Sequence, residues 1–423
     1  MHAKSSAVTA ARTNPLAWVW EPRGLALWAA MAGFVLDSYD VLLYVFVVQA
    51  LRAEFHWTAA TAGLVSSATL ITSALGGIGA GFLSDRIGRR RTLVLTILVY
   101  SVGSGGSALA TGLVTLIFWR SIVGFGLGGE WSAGATLVAE SWPPKHRAKA
   151  MALMQSGWAL GYMLAAASTA FILPRFGWRV LFLTGLLPAL LTIWIQRKVK
   201  EPPLWRKDRK ERPAPSPWLD LFRPPLAKRT FLTTTLATCM LFGYWGLNTW
   251  LPGFLSAPRS QGSAGLNILQ TSAWIFIMQF GTFLGYASFG WLADWWGRRP
   301  AFLVYVIIAA VLTPLYGLTP VWAGPSSELW LLALGPLVGF FGTGFFSLFG
   351  TMLAELYPTS IRGSAQGFVY NTARAASALA PFAIGAIADR RGLGYGLALN
   401  SAFLLIGAAL IFTLPETRGT ELE

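Results

Sequence analysis

Few ionisable side chains fall inside the apolar stretches of this 423-residue chain: Asp37 and Asp40 in the first, Arg120 and Glu130 in the fourth, and Arg374 in the eleventh. A charge at the centre of a bilayer costs about 2.5–3.5 kcal/mol even on lenient insertion scales, so each of these groups needs a reason to be there. Asp37 and Asp40 stand three apart, which puts both carboxylates on one helical face. Two like charges in a poorly solvated cavity are relieved when one takes a proton, as a proton carrier requires. The alternative is that one of the pair caps a kink or pairs permanently with Arg120. Glu130 lies ten residues beyond Arg120, about 15 Å along the axis, so these two cannot pair directly and each needs a partner on another helix. Proton relay and structural pairing are both open for Glu130. Asp37, Asp40, Glu130 and Arg120 are thus the candidates for proton coupling. Arg374 lies near the middle of its stretch, and a permanent cation with a fork of donors suits a carboxylate. Its alternative is an internal ion pair with Asp37, Asp40 or Glu130. Tyr44, Trp131, Trp158, Trp245 and Tyr370 lie near the same depth and, with Asn248 and Asn371, could line a pocket around Arg374, although any one aromatic is more often packing.

The elements that must position these groups are read from hydropathy. The chain is 54% hydrophobic and 12% charged, about half the charge of an ordinary soluble domain. A span needs about 20 apolar residues to cross roughly 30 Å of hydrocarbon. Apolar stretches lie at 24–48, 59–83, 92–111, 113–138, 148–173, 179–197, 229–255, 268–291, 301–319, 329–353, 364–387 and 395–414. The run after Lys4, Arg12 and Arg23 is too long for a signal-peptide core and reads as the first permanent helix. The expected organisation is a tail at 1–23, a six-helix half at 24–197, a linker at 198–228, a second half at 229–414 and a tail at 415–423.

The net charge of +15 would suggest nucleic acid in a soluble protein, but its position argues for topology. Most of the 33 Lys and Arg residues fall on the side of the tails and linker. Arg52, Arg175, Arg179, Arg259, Arg390 and Arg391 fall on the other side, and the positive-inside rule therefore makes both termini cytoplasmic. The lone Cys239 has no disulfide partner, and His2, His56 and His146 fall in tails or loops, so no metal site and no histidine proton relay is expected at depth.

The chain also repeats itself. GFLSDRIGRRR at 81–91 is echoed by GWLADWWGRRP at 290–300. Ala139-Glu140 with Pro143 and Arg147 is echoed by Ala354-Glu355 with Pro358 and Arg362, and Lys200-Glu201-Pro202 by Pro415-Glu416-Thr417. Two six-helix halves related in this way describe a secondary transporter. The repeats place matching charges at helix ends: Asp85, Arg89, Arg90, Glu140 and Arg147, then Asp294, Arg298, Arg299, Glu355 and Arg362. They read either as solvated charge or as gating ion pairs between the halves.

These residues resemble the major facilitator superfamily. Its signature between helices two and three is present as Gly81, Leu83, Asp85, Arg86, Gly88, Arg89 and Arg90, and its fourth-helix signature as Arg120, Gly124, Gly126 and Gly128. Within it, GGEWSAGATLVAESWP at 128–143, QSGWALGY at 155–162 and RVLFLTGLLPALL at 179–191 resemble the sialate and lactate proton symporters and neighbouring organic-anion transporters. The resemblance implies an all-α membrane protein of twelve transmembrane helices, an arginine in helix eleven (Arg374, within YNTARAASALAP) serving an anionic substrate, and Arg120 adjoining the helix-one acids. It implies proton-coupled symport of a small organic monocarboxylate, lactate-like first, with sialic or aromatic acids behind. The nearest rival is a sugar or polyol carrier, kept open by Glu201 and Glu416, which resemble sugar-porter motif positions. A solute sensor would usually have a long cytoplasmic tail. No nucleophile-base pair at depth or P-loop suggests an enzyme. The expected partners are a small organic anion, a proton and the lipid bilayer, with no nucleic acid and no cofactor, and the chain is expected to act as a monomer in the plasma (inner) membrane.

Overall fold

A computed structural model describes residues 17–57, 59–211, 218–259, 262–380, 383, 384, 387 and 391–422. His2, Lys4 and Arg12 of the tail, residues 212–217 of the linker, Arg390, several positions late in the eleventh span and the side chain of Arg52 lie outside the described residues. The elements are α1 (Pro22–Phe55), α2 (Ala59–Ile87), α3 (Arg89–Ser107), α4 (Leu113–Ser141), α5 (Pro144–Leu183), α6 (Pro188–Lys198), α7 (Pro203–Glu211), α8 (Leu226–Ser256), α9 (Ile268–Trp296), α10 (Arg298–Gly317), α11 (Thr319–Trp322), α12 (Ser327–Gly344), α13 (Ser347–Leu356), α14 (Arg362–Ser377) and α15 (Leu393–Leu410). No strand occurs among the described residues.

Local chemistry sets the breaks. Gly88 and Gly297, at equivalent places in the repeat, adopt φ of 106° and 114°, which residues with a Cβ rarely adopt. There α2 turns into α3, and α9 into α10. The fifth span runs into the sixth through a bend at Gly177, and the sixth resumes as α6 at Pro188. The tenth span is divided at Phe345 and Phe346 into α12 and α13. The linker is partly helical: Trp205 of α7 donates to the carbonyl of Asp85 at 3.2 Å.

Packing repeats as the sequence does. In the first half α1 lies on α5, α2 on α4, and α3 on α4 and α6; in the second, α8 lies on α14, α9 on α12, and α10 on α12 and α15. The halves meet along two matching seams, α5 with α9 and α2 with α14. The surface is the reverse of a soluble protein's: Ile71, Leu75, Val114, Phe118, Phe171, Phe231 and Leu329 are exposed, while Asp37, Asp40, Arg120 and Glu130 are buried. Lipid, which is as apolar as these side chains, accounts for that arrangement. Among the described residues, eight helices are long and apolar enough to cross a membrane by themselves. The third, fifth, seventh and eleventh spans do not meet that test among the described residues; three of these four supply walls of the site described next.

Candidate functional site

At the centre of the molecule α1, α5, α8, α9, α13's approach and α14 enclose a compartment lined by Phe34, Gln155, Trp158, Leu241, Tyr244, Trp245, Tyr286, Phe346, Tyr370 and Arg374. Its cavity is about 20 Å³, room for about one water. The aromatic walls are therefore collapsed onto one another, and a ligand must part them. Trp158 donates to the Tyr244 hydroxyl at 2.7 Å, joining the two halves across the space. Tyr370 is stacked on Trp131 with centroids 3.9 Å apart, and the Trp131 Nε1 donates to Gln155 at 2.7 Å.

Arg374 enters this compartment from α14. Its Nη1 donates to the Ser73 hydroxyl of α2 at 2.9 Å, its guanidinium lies 5.3 Å from the Tyr370 centroid, and its Nε has no hydrogen-bond partner. The fork of a buried guanidinium is thus only partly used.

The acids separate into two kinds. Asp40 is fully engaged: Arg120 donates to one carboxylate oxygen at 3.2 Å and the Ser104 hydroxyl donates to the other. This is the contact with Arg120 that the sequence left as one alternative. Asp37, one turn earlier, has a buried oxygen with no partner and lies within electrostatic reach of both Arg374 and Asp40. Glu130 is fully buried with neither oxygen partnered, its carboxylate packed on Gly33, and it too lies within reach of Asp37 and Arg374.

Of the pocket candidates, Trp158, Trp245, Tyr370 and Arg374 line the compartment. Trp131 stands behind Tyr370. Tyr44 is turned toward Arg120, whose guanidinium is 5.8 Å from its ring. Asn248 donates to the carbonyl of Tyr244 within its own helix. Asn371 packs against Gly77 and donates to the carbonyl of Gly367 at 2.9 Å, so it serves the α2–α14 seam. Sequence reasoning passed over Ser73, Gln155, Tyr244 and Tyr286. Gln155 is three residues before Trp158, and Tyr244 four before Asn248, so both share a helical face with a residue already chosen. Ser73 and Tyr286 carry no such signal.

The repeated charges form one network at the end of the molecule where α2 meets α3. Arg89 makes a two-pronged pair with Glu140 at 3.0 and 2.9 Å, bonds Asp85 at 2.9 Å and donates to the carbonyl of Thr359 in the other half at 3.1 Å. Arg362, from the second half, reaches the same Glu140 at 2.8 Å. Its repeat mate Arg147 reaches Glu355 at 3.1 Å, where Arg298 also pairs. Asp85 accepts from the amides of Gly363 and Ser364 at 3.0 and 2.7 Å, capping α14 across the seam. Arg89, Arg147, Glu140 and Arg362 are buried, which replaces the reading of solvated charge. Arg90 and Arg299 bond carbonyls of their own halves, at Gln196 and Phe412. Glu201 and Glu416 accept from the first amides of α3 and α10, at Arg89 and Arg298. At the opposite end, Arg179 pairs with Glu54 at 2.9 Å and Arg259 with Glu328 at 2.6 Å.

The sequence profile described as Major Facilitator Superfamily matches residues 25–262 and 254–422, which is nearly the whole chain. The chain belongs to the major facilitator superfamily. It is therefore an integral membrane protein of a transporter family and not an enzyme, and its expected twelve-helix fold stands. Among superfamily members, the chain is 34% identical over 404 residues to a probable 4-methylmuconolactone transporter of Cupriavidus pinatubonensis, covering 94% of this chain and 91% of that one. It is 31% identical over 382 residues to the sialic acid transporter NanX of Escherichia coli, covering 89% and 90%. The solved structure of the proton:xylose symporter XylE, of the same superfamily, superposes with a TM-score of 0.79 at 18% identity over 95% of this chain and 97% of that one, a likeness of fold.

Proposed function

We propose that this superfamily member carries a small organic monocarboxylate together with a proton by alternating access, in the plasma (inner) membrane, with both termini cytoplasmic. The observation that carries the reading is Arg374: a buried guanidinium with an unused donor, in an aromatic-walled compartment built from both halves. The two relatives described above are named for 4-methylmuconolactone and sialic acid, both of which bear a carboxyl group. The lining of Trp158, Tyr244, Trp245, Tyr286, Phe346 and Tyr370 favours a ring-bearing or unsaturated acid over a lactate-like one, because flat apolar faces stack on aromatic walls.

The mechanism follows from charge balance. In the empty carrier Asp37 and Arg374 attract each other through a low-dielectric interior. A proton on Asp37 removes that competitor and leaves Arg374 free for the carboxylate of the substrate, so the loaded and empty carriers bury the same net charge and each can reorient. Either partner alone leaves an uncompensated charge, which couples the two fluxes. Glu130, buried without a cation or donor of its own, is cheapest as the neutral acid and acts as a second proton holder beside Asp37. Asp40 and Arg120 form the fixed pair that holds α1 against α4. The rim network closes the cytoplasmic mouth, and release requires its cross-half bonds to Glu140, Glu355 and Asp85 to break.

The reading is tested by uptake of a radiolabelled panel of aromatic, unsaturated, lactate-like and sialic acids, with sugars beside them, into proteoliposomes under an inward proton gradient. Accumulation of an acid that stops with a protonophore is the expected result. Movement of a neutral sugar alone would replace the anion reading with the sugar-carrier one.

A further inference from the structure

The two seams between the halves match in sequence but differ in what the helix-end acid does. Both are tight where the repeated glycine lies, since a Cβ on Gly81 would strike the backbone of Gly363 and Gly367 and one on Gly290 that of Ala148 and Lys149, but only in the α2–α14 seam does the acid, Asp85, cap the opposing helix, α14. In the α5–α9 seam the equivalent Asp294 turns to Arg298 at 2.8 Å and leaves its second oxygen without a partner. Beside it a groove of about 1070 Å³ opens between the start of α5, the end of α9, α10 and α12. Trp291, Phe340 and Phe341 form its apolar wall, and Lys145, Lys149, Arg418 and Glu421 also line it. Trp291 and Trp295 are 60% and 68% exposed. Arg89, Arg147, Arg298 and Arg362 are each held in ion pairs, whereas among the described residues no ion pair uses Lys145, Lys149 or Arg418. Lys145, Lys149 and Arg418 are therefore left as surplus positive charge over an apolar, tryptophan-lined trough.

We propose that this groove binds an anionic phospholipid. Lys145 and Lys149, one turn apart on α5, take the phosphate with Arg418 nearby, and an acyl chain lies along Trp291, Phe340 and Phe341. Interfacial tryptophans next to lysines are the side chains that the headgroup layer selects, and basic pockets between transmembrane helices on the cytoplasmic side attract acidic headgroups. The lysines come from the first half and the apolar wall from the second, so a lipid seated here bridges the two halves beside Asp294.

The full chain, purified in detergent, is titrated with dioleoyl phosphatidylglycerol and dioleoyl phosphatidylcholine and read by native mass spectrometry. Wild type is expected to retain the anionic lipid roughly tenfold more tightly than the zwitterionic one. In Lys145→Ser/Lys149→Ser the preference falls to parity, while Lys198→Ser/Lys200→Ser, on the same rim but outside the groove, keeps it. Brominated phosphatidylglycerol quenches tryptophan fluorescence in wild type, and less in Trp291→Phe/Trp295→Phe. Equal retention of both lipids, a preference that survives loss of Lys145 and Lys149, or one lost equally in the control variant overturns the proposal.

Discussion

Arg374 and Asp40 are both buried, yet their replacement should have opposite consequences. Removing Arg374 takes away a charged donor, worth about 1.5–3 kcal/mol. Arg374→Ala is therefore expected to weaken binding of the acid roughly 10- to 100-fold in a direct binding assay, with Arg374→Lys intermediate because it keeps the charge and loses the fork. Replacing Asp40 strands Arg120, and breaking a buried pair costs about 3–5 kcal/mol. Asp40→Ala should then lower the thermal midpoint in detergent by several degrees, whereas Asp37→Asn, which removes a charge facing Arg374 but no hydrogen bond from its unpartnered oxygen, should lower it less; equal losses in both variants would contradict the assignment of Asp40 as the structural acid. Spacing alone put Asp37 and Asp40 on one face. It could not separate them, because what distinguishes them is Ser104 on α3 and Arg120 on α4, and no local pattern records which helices will touch.

Helices were the most legible level. The expected spans match the observed elements to within a few residues at most edges, because length and hydropathy determine what can cross a bilayer. The break between α12 and α13 and the continuation of α5 past Pro174 carried no clear signal. The glycines of the fourth-helix signature have a packing reason that hydropathy does not display: a Cβ on Gly128 would lie 1.8 Å from the carbonyl oxygen of Ser73 and 2.7 Å from the amide of Gly77. This close approach of α4 to α2 is the small-residue contact by which helices associate in lipid. Because Ser73 also holds Arg374, Gly128→Ala is expected to lower stability by about 1–3 kcal/mol and to raise the KM for the acid. A variant with wild-type stability and KM would show that α2 and α4 separate without cost.

Across the whole molecule the repeat made the rim readable, while the compartment was legible only at Trp158, Trp245, Tyr370 and Arg374. Matching charges at matching helix ends identified the network, since a duplicated half must meet its copy through equivalent residues. The faces presented by Tyr286 and Phe346 depend on how helices from different halves pack, which a period within one helix cannot report. Glu140 receives Arg89 from its own half and Arg362 from the other, so Glu140→Gln should weaken closure of the rim. Spin labels at Arg91 and Lys228, with Cys239→Ser, are expected to report longer distances across that end in the variant; an unchanged distribution would mean that Asp85 and Glu355 suffice. A proton on Asp37 and a substrate anion on Arg374 are expected to cross together as one electroneutral load. The most direct test is simultaneous recording of proton and labelled-acid entry into proteoliposomes, for wild type and Asp37→Asn. Protons are expected to enter with the acid in wild type, and Asp37→Asn is expected still to exchange acid across the membrane but no longer to accumulate it or move protons. Proton-driven accumulation that persists in Asp37→Asn would contradict this coupling.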